Sequence, residues 1–134
     1  MCDDIPVLVD VKEEDGFIYN PKAINDAISE KTKAIIINSP ANPTGGVAME
    51  ETLNEIADIC KDHNLIVISD EVYKSIATIK GMKERTVVIN SFSKEYAMTG
   101  WRLGYSEAPK PLIEAMCKLQ ENIVRCVAEA NQYA

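Results

Sequence analysis

The chain has 134 residues, 46% of them hydrophobic, enough for one ordinary core and too few for two domains. A formal net charge of -7 offers no basic face for a phosphate backbone, which excludes nucleic acid as a partner. No apolar run approaches the roughly 20 residues that span a bilayer, so no membrane partner is expected. The opening Met1-Cys2-Asp3-Asp4 lacks a basic n-region and an apolar h-region, and no secretory signal is expected there. Cys2, Cys60, Cys117 and Cys126 show no Cys-x-x-Cys spacing. They read as reduced, partly buried thiols of a cytoplasmic protein rather than as zinc ligands.

In chain order, residues 7–11 read as a strand, punctuated by Asp15-Gly16. Asn20-Pro21 predicts a helix start, with Asn as the cap and Pro at the first helical position, running to about Glu30. Residues 34–37 form a buried-strand pattern that ends in Asn42-Pro43-Thr44-Gly45-Gly46, by itself an ordinary turn signal. Leu53, Ile56, Ala57 and Cys60 recur at i, i+3, i+4 and i+7, one apolar face of an amphipathic helix. His63 closes that pattern and reads as a solvated helix-end residue favourable to the dipole, with no partner for chemistry. Strands follow at 65–68, 86–89 and 102–106. Pro109 and Pro111 open a last helix carrying Leu112, Met116, Leu119 and Ile123. Strands separated by helices predict an α/β fold with a parallel sheet and right-handed crossovers.

Three polar clusters lie just past strand patterns: Asn42-Pro43-Thr44-Gly45, Asp70-Glu71-Val72-Tyr73, and Ser91-Phe92-Ser93-Lys94 with Arg102 eight residues on. Ligands of open parallel sheets bind at that edge. An amine, hydroxyls and a guanidinium at a strand end suit a phosphorylated carbonyl compound: the lysine bonds the carbonyl, while Ser and Arg take the phosphate.

These motifs, continued by Gly100-Trp101-Arg102-Leu103-Gly104-Tyr105, resemble the large domain of fold-type I, pyridoxal-phosphate-dependent aminotransferases of class I/II. The resemblance covers nearly the whole chain. It implies a three-layer α/β sandwich whose sheet is mostly parallel, with the Arg102 strand antiparallel at one side and helices on both faces. It implies pyridoxal 5'-phosphate as cofactor, and amino acid and 2-oxo acid as substrates. Lys94 matches the lysine that forms the Schiff base with the cofactor and moves the proton, a task that needs a neutral amine, favoured by burial and a nearby cation. Asp70 matches the carboxylate that pairs with the pyridine nitrogen, and Asn42 and Tyr73 match the donors to the ring oxygen. Ser91 and Arg102 match phosphate ligands, with Ser93 a third contact. Glu71 reads as structural or superficial by strand alternation, and Trp101 and Tyr105 as packing residues.

The sequence also departs from the family. Members are considerably longer, and the segments that carry the phosphate-capping turn, the ring-stacking aromatic and the arginine for the substrate carboxylate are not in this sequence. The connection between Tyr73 and Gly81 is shorter than usual. Residues 1–134 are therefore expected to form part of a large domain without arm or small domain, inactive alone. The alternative is a non-catalytic engineered or excised α/β domain that retains the cofactor motifs. A four-strand core is expected, with the 7–11 strand displaced and free to re-pair at a vacated edge or with a second chain. The resemblance implies a homodimer, and a free strand edge an edge-strand-mediated oligomer.

Overall fold

The structure, a computed structural model, describes residues 4–71, 76–124 and 126–133. Four strands form one sheet in the order β1-β2-β3-β4: β1 Ala34–Ser39, β2 Ile66–Glu71, β3 Thr86–Ser91 and β4 Gly104–Glu107. β1, β2 and β3 are parallel, and β4 runs antiparallel along β3. The α/β class, the mostly parallel sheet and the lone antiparallel strand are as expected.

Helices α1 (Pro21–Ala27) and α2 (Glu50–Asp62) precede β1 and β2. Asn20 caps α1, its Oδ1 accepting from Ala23 N at 3.1 Å, with Pro21 at the first turn. The helix stops at Ala27 rather than Glu30. Ser29 and Thr32 satisfy the next backbone groups: Ser29 N donates to Thr32 Oγ1 at 3.0 Å and Thr32 N to Ser29 O at 2.9 Å, a turn that competes with further helix. In α2, Leu53, Ile56, Ala57 and Cys60 are all buried, and Glu50 and Glu51 favour the positive end of its dipole. Its far end is held by Arg85, which donates from one guanidinium nitrogen to Cys60 O, Leu65 O and Asn64 Oδ1 at 3.2–3.3 Å. Exposed His63 is the C-cap of α2, with Nε2 3.2 Å from Asn25 Oδ1.

Alternation along the strands divides the sheet into two faces. One carries Ile37 and Val67, which join Ile24, Leu53, Ile56, Ala57, Cys60, Leu65, Ile76 and Met82 in a single core. At about 1.5–3 kcal/mol for each large apolar side chain buried, this cluster dominates the favourable side of folding. The opposite face carries Ile36, Ile68, Val87 and Ile89 in adjacent register; Val87 is buried, but Ile36 and Ile89 are exposed. The helical layer on this face is left incomplete. Helix α4 (Lys110–Ile123) has no buried residue, and Leu119 and Ile123 lie in solvent. The short helices α3 (Phe92–Glu95) and α5 (Glu129–Gln132) complete the described elements.

Residues 7–11 do not form a strand. Alternation holds only from Val9, which packs on the core, while Val7 and Leu8 are both exposed. A strand, however, needs a ladder partner, and the edge of β1 is taken at Asn38 by the Tyr19 hydroxyl. The first strand is therefore neither displaced nor re-paired within this chain. The strand expected at 102–106 begins only at Gly104, because Arg102 is in the left-handed region (φ 53, ψ 45) and turns the chain into β4. Of the described cysteines, Cys60 is buried, Cys117 and Cys126 are exposed, and all three are free thiols; Cys2 lies outside the described residues. No described helix is long and apolar enough to cross a membrane.

Candidate functional site

The described residues of the polar clusters follow the C-terminal ends of β1, β2 and β3. In register, Asn38 stands opposite Asp70 and Asp70 opposite Ile89, two residues before Ser91. Alternation places Asn38, Asp70 and Ser91 on the same side as Ile36, Ile68 and Ile89. The groups thus occupy neighbouring strand ends over an apolar floor.

Asn42 lies in a loop that closes on itself after β1. Gly45 N donates to Ala41 O at 2.7 Å and Ala41 N to Gly46 O at 2.8 Å. Both proline bonds, Ser39-Pro40 and Asn42-Pro43, are cis. The loop needs its glycines: Gly45 has φ 74, and a Cβ on Gly46 would stand 2.5 Å from Phe17 O. The Asn42 side chain is exposed at the sheet edge.

Asp70 is exposed and accepts from Asn38 Nδ2 at 2.9 Å, while Asn38 Oδ1 accepts from Asn42 N at 3.1 Å. One carboxamide therefore links two of the expected site residues. Tyr19 holds Asn38 in turn: its hydroxyl donates to Asn38 O at 2.7 Å and accepts from Asn38 N at 2.9 Å. Burial pushes the Tyr19 phenol above its ordinary 10.0, opposed by its bond to the Asn38 backbone. Neither Asn38 nor Tyr19 was among the residues singled out in the sequence. The available signal was an amide that ends the apolar run Ile35-Ile36-Ile37.

Ser91 ends β3 and caps α3, its Oγ accepting from Ser93 N at 3.1 Å, so these two residues are also brought together. Lys94 sits in α3 and is exposed; its ammonium has no hydrogen bond or ion pair among the described residues. The burial expected to keep its amine neutral is not there. Arg102 is exposed, and Nη1 donates to Thr99 O at 3.1 Å. A left-handed backbone costs an arginine about 1 kcal/mol, which its single backbone bond helps to offset. Neither Lys94 nor Arg102 is tied by a hydrogen bond to the Asn38–Asp70 pair. Tyr73 lies outside the described residues, and so does the side chain of Glu71. Tyr105 packs on Phe92 with ring centroids 5.4 Å apart, and Tyr105 and Trp101 are each 41% exposed. No group of three or more His, Cys, Asp or Glu poised for a metal occurs among the described residues.

The sequence model of the family "Aminotransferase class I and II" matches residues 4–133. Aspartate aminotransferase of Pyrococcus abyssi is 49% identical over 96% of this chain and 36% of its own length. Aromatic-amino-acid aminotransferase 2 of Thermococcus litoralis is 42% identical, again over 96% and 36%. In three dimensions, an aromatic aminotransferase from Pyrococcus horikoshii superposes with a TM-score of 0.87 at 48% identity, over 91% of this chain and 35% of that one. Aspartate aminotransferase from Thermus thermophilus with maleate gives 0.85 at 35% identity, over 90% and 34%. The chain thus spans about a third of the length of its relatives. With motif order, sheet topology and strand-end chemistry all in agreement, it belongs to the class I and II aminotransferases.

Proposed function

We propose that this chain is the cofactor-cradling part of the large domain of a transaminase, which moves an amino group between an amino acid and a 2-oxo acid. The observation that carries the reading is the Asn38–Asp70 bond at the edge of parallel strands. It leaves Oδ1 of Asp70 without a partner among the described residues, on the face that also bears Ser91.

The donor set fits pyridoxal 5'-phosphate. An unpartnered amine suits an aldehyde, a carboxylate suits a protonated pyridine nitrogen, and a guanidinium with hydroxyls suits a phosphate. Asp70 would keep the proton on the ring nitrogen. Asn42 would donate to the ring oxygen, aided by Tyr73. Ser91, Ser93 and Arg102 would hold the phosphate. Lys94 Nζ would hold the cofactor through its aldehyde carbon, be set free when the substrate amine takes its place there, and as a free amine carry the proton from the substrate α-carbon to the cofactor. The bound cofactor supplies an electron-withdrawing ring that spreads the negative charge left on that carbon.

The same reading makes the 134-residue chain inactive by itself. Lys94 is in solvent, and the open face over Ile36 and Ile89 does not exclude water. We read residues 1–134 as a partial large domain, with the other parts of the site supplied by segments beyond this sequence or by a second copy.

The test is to mix the chain with pyridoxal phosphate, reduce with borohydride and map the modified peptide by mass. Modification at Lys94, abolished in Lys94→Ala, is expected. Labelling spread over the exposed lysines and indifferent to Lys94→Ala would overturn the assignment and leave a scaffold that carries the motif without the site.

A further inference from the structure

Asn38 uses both ends of its carboxamide. The amide nitrogen donates to Asp70 Oδ2 at 2.9 Å and the oxygen accepts from Asn42 N at 3.1 Å. A primary amide offers one acceptor end and one donor end, so neither bond can be kept if the group turns over. Successive residues of a strand turn their N–H and C=O to opposite sides, and Asn38 turns both toward the free edge of β1. The Tyr19 hydroxyl meets them there, donating at 2.7 Å and accepting at 2.9 Å. Tyr19 enters from the segment before α1, is half-buried, and packs against the core. A rigid, anchored phenol thus fixes the backbone from which the carboxamide projects.

We propose that Asn38 is a positioning residue that braces two strand ends together, and that Tyr19 is the peg that holds the brace in place. Through Asn38 the direction of the Asp70 carboxylate and the path of the Asn42 loop are set by one group. On the functional reading above, on which the inference rests, Asp70 and Asn42 address two different atoms of one planar ring. Their separation must then suit that ring, and a single amide between them fixes it. Groups that orient a site are effective only when locked by packing and by further hydrogen bonds, and Tyr19 supplies that lock.

The test uses the whole chain and three variants: Asn38→Leu, Tyr19→Phe, and the exchange Asn38→Asp with Asp70→Asn. Two readouts are taken, amide hydrogen exchange at Asn42 and the dissociation constant of pyridoxal phosphate with the pH midpoint of its visible band. Asn38→Leu is expected to speed exchange at Asn42 and to weaken cofactor binding about tenfold, or about 1.4 kcal/mol, with a displaced pH midpoint. Tyr19→Phe touches neither Asp70 nor Asn42, yet should change both readouts in the same direction, about threefold. The exchange variant restores protection at Asn42, because a carboxylate oxygen accepts as an amide oxygen does, but it does not restore cofactor affinity.

Asn42 exchange unchanged in Asn38→Leu and Tyr19→Phe overturns the brace, whether or not the cofactor binds. Faster exchange with wild-type affinity and an unmoved pH midpoint overturns the positioning role and leaves Asn38 purely structural. If the unaltered chain takes up no pyridoxal phosphate, the functional reading fails, and exchange at Asn42 still decides the brace. Should Asn38→Leu not fold, Tyr19→Phe carries the same comparison.

Discussion

Ile36 and Ile37 are neighbours in β1, yet Ile37 is 1% exposed and Ile36 is 72% exposed. The face of Ile37 is closed by α1, α2 and the turn at Ile76, whereas the face of Ile36 carries Asn38, Asp70 and Ser91 and no complete layer. The two faces are equally apolar at mid-strand. What separates them is the origin of their cover. One face is covered by elements that flank the strands in sequence, α1 just before β1, and α2 and the turn at Ile76 between successive strands. The other has no such flanking cover, in a chain that spans about a third of the length of its relatives. Stability in this chain therefore rests on the closed face, while Asp70 and Ser91 of the proposed site lie on the open one.

Substitution can break that division, and the largest effect belongs to the closed face. Ile56→Ala, at a fully buried position, is expected to cost about 2–5 kcal/mol in denaturant unfolding. An effect below about 1 kcal/mol would mean that the core is loose. Alkaline pH gives the next largest. Burial, opposed by the Arg85 charge, pushes the Cys60 thiol up to about 11 from 9.0. A pKa raised in the folded state stabilises fully below the unfolded value and is lost as pH rises through the folded one. Unfolding free energy should thus fall between about pH 9 and 11 by roughly 2–3 kcal/mol, and Cys60→Ala should flatten that slope. Asn20→Ala removes the cap of α1 and should cost about 1 kcal/mol by the same denaturation assay. Smallest of all, Ile36→Ser on the open face should stay within about 0.5 kcal/mol. A loss comparable to that of Ile56→Ala would show that the open face is covered in solution.

The legible parts of the sequence were those encoded locally. The i, i+3, i+4, i+7 pattern from Leu53 to Cys60 marked both the helix and its buried side, and Asn20-Pro21 marked a cap that the structure reproduces. The order of Asn42, Asp70, Ser91, Lys94 and Arg102 after successive strands was legible, with Asp70 and Ser91 in the ends of β2 and β3. Asn38 and Tyr19 were not, because their bonds arise from the register of β1 on β2 and from the path of the segment before α1, which no local pattern carries. Residues 7–11 failed for the converse reason: their local pattern was strand-like, but pairing depends on an edge that Tyr19 occupies. The exposure of Lys94 was equally hidden, since burial of an amine depends on everything that surrounds it.

The parallel register has a kinetic side as well. β1 pairs Ala34 with Ile66, thirty-two positions away, and β2 pairs Val67 with Thr86, nineteen away. No sheet contact between β1 and β2 can form until the loop containing α2 has closed, so loop-closure entropy is met before any ladder bond is gained. Chains dominated by such distant pairings fold in milliseconds to seconds rather than microseconds. Through that interval the apolar stripe of α2 is bare, and the nascent chain is most exposed to association before its first two strands have met.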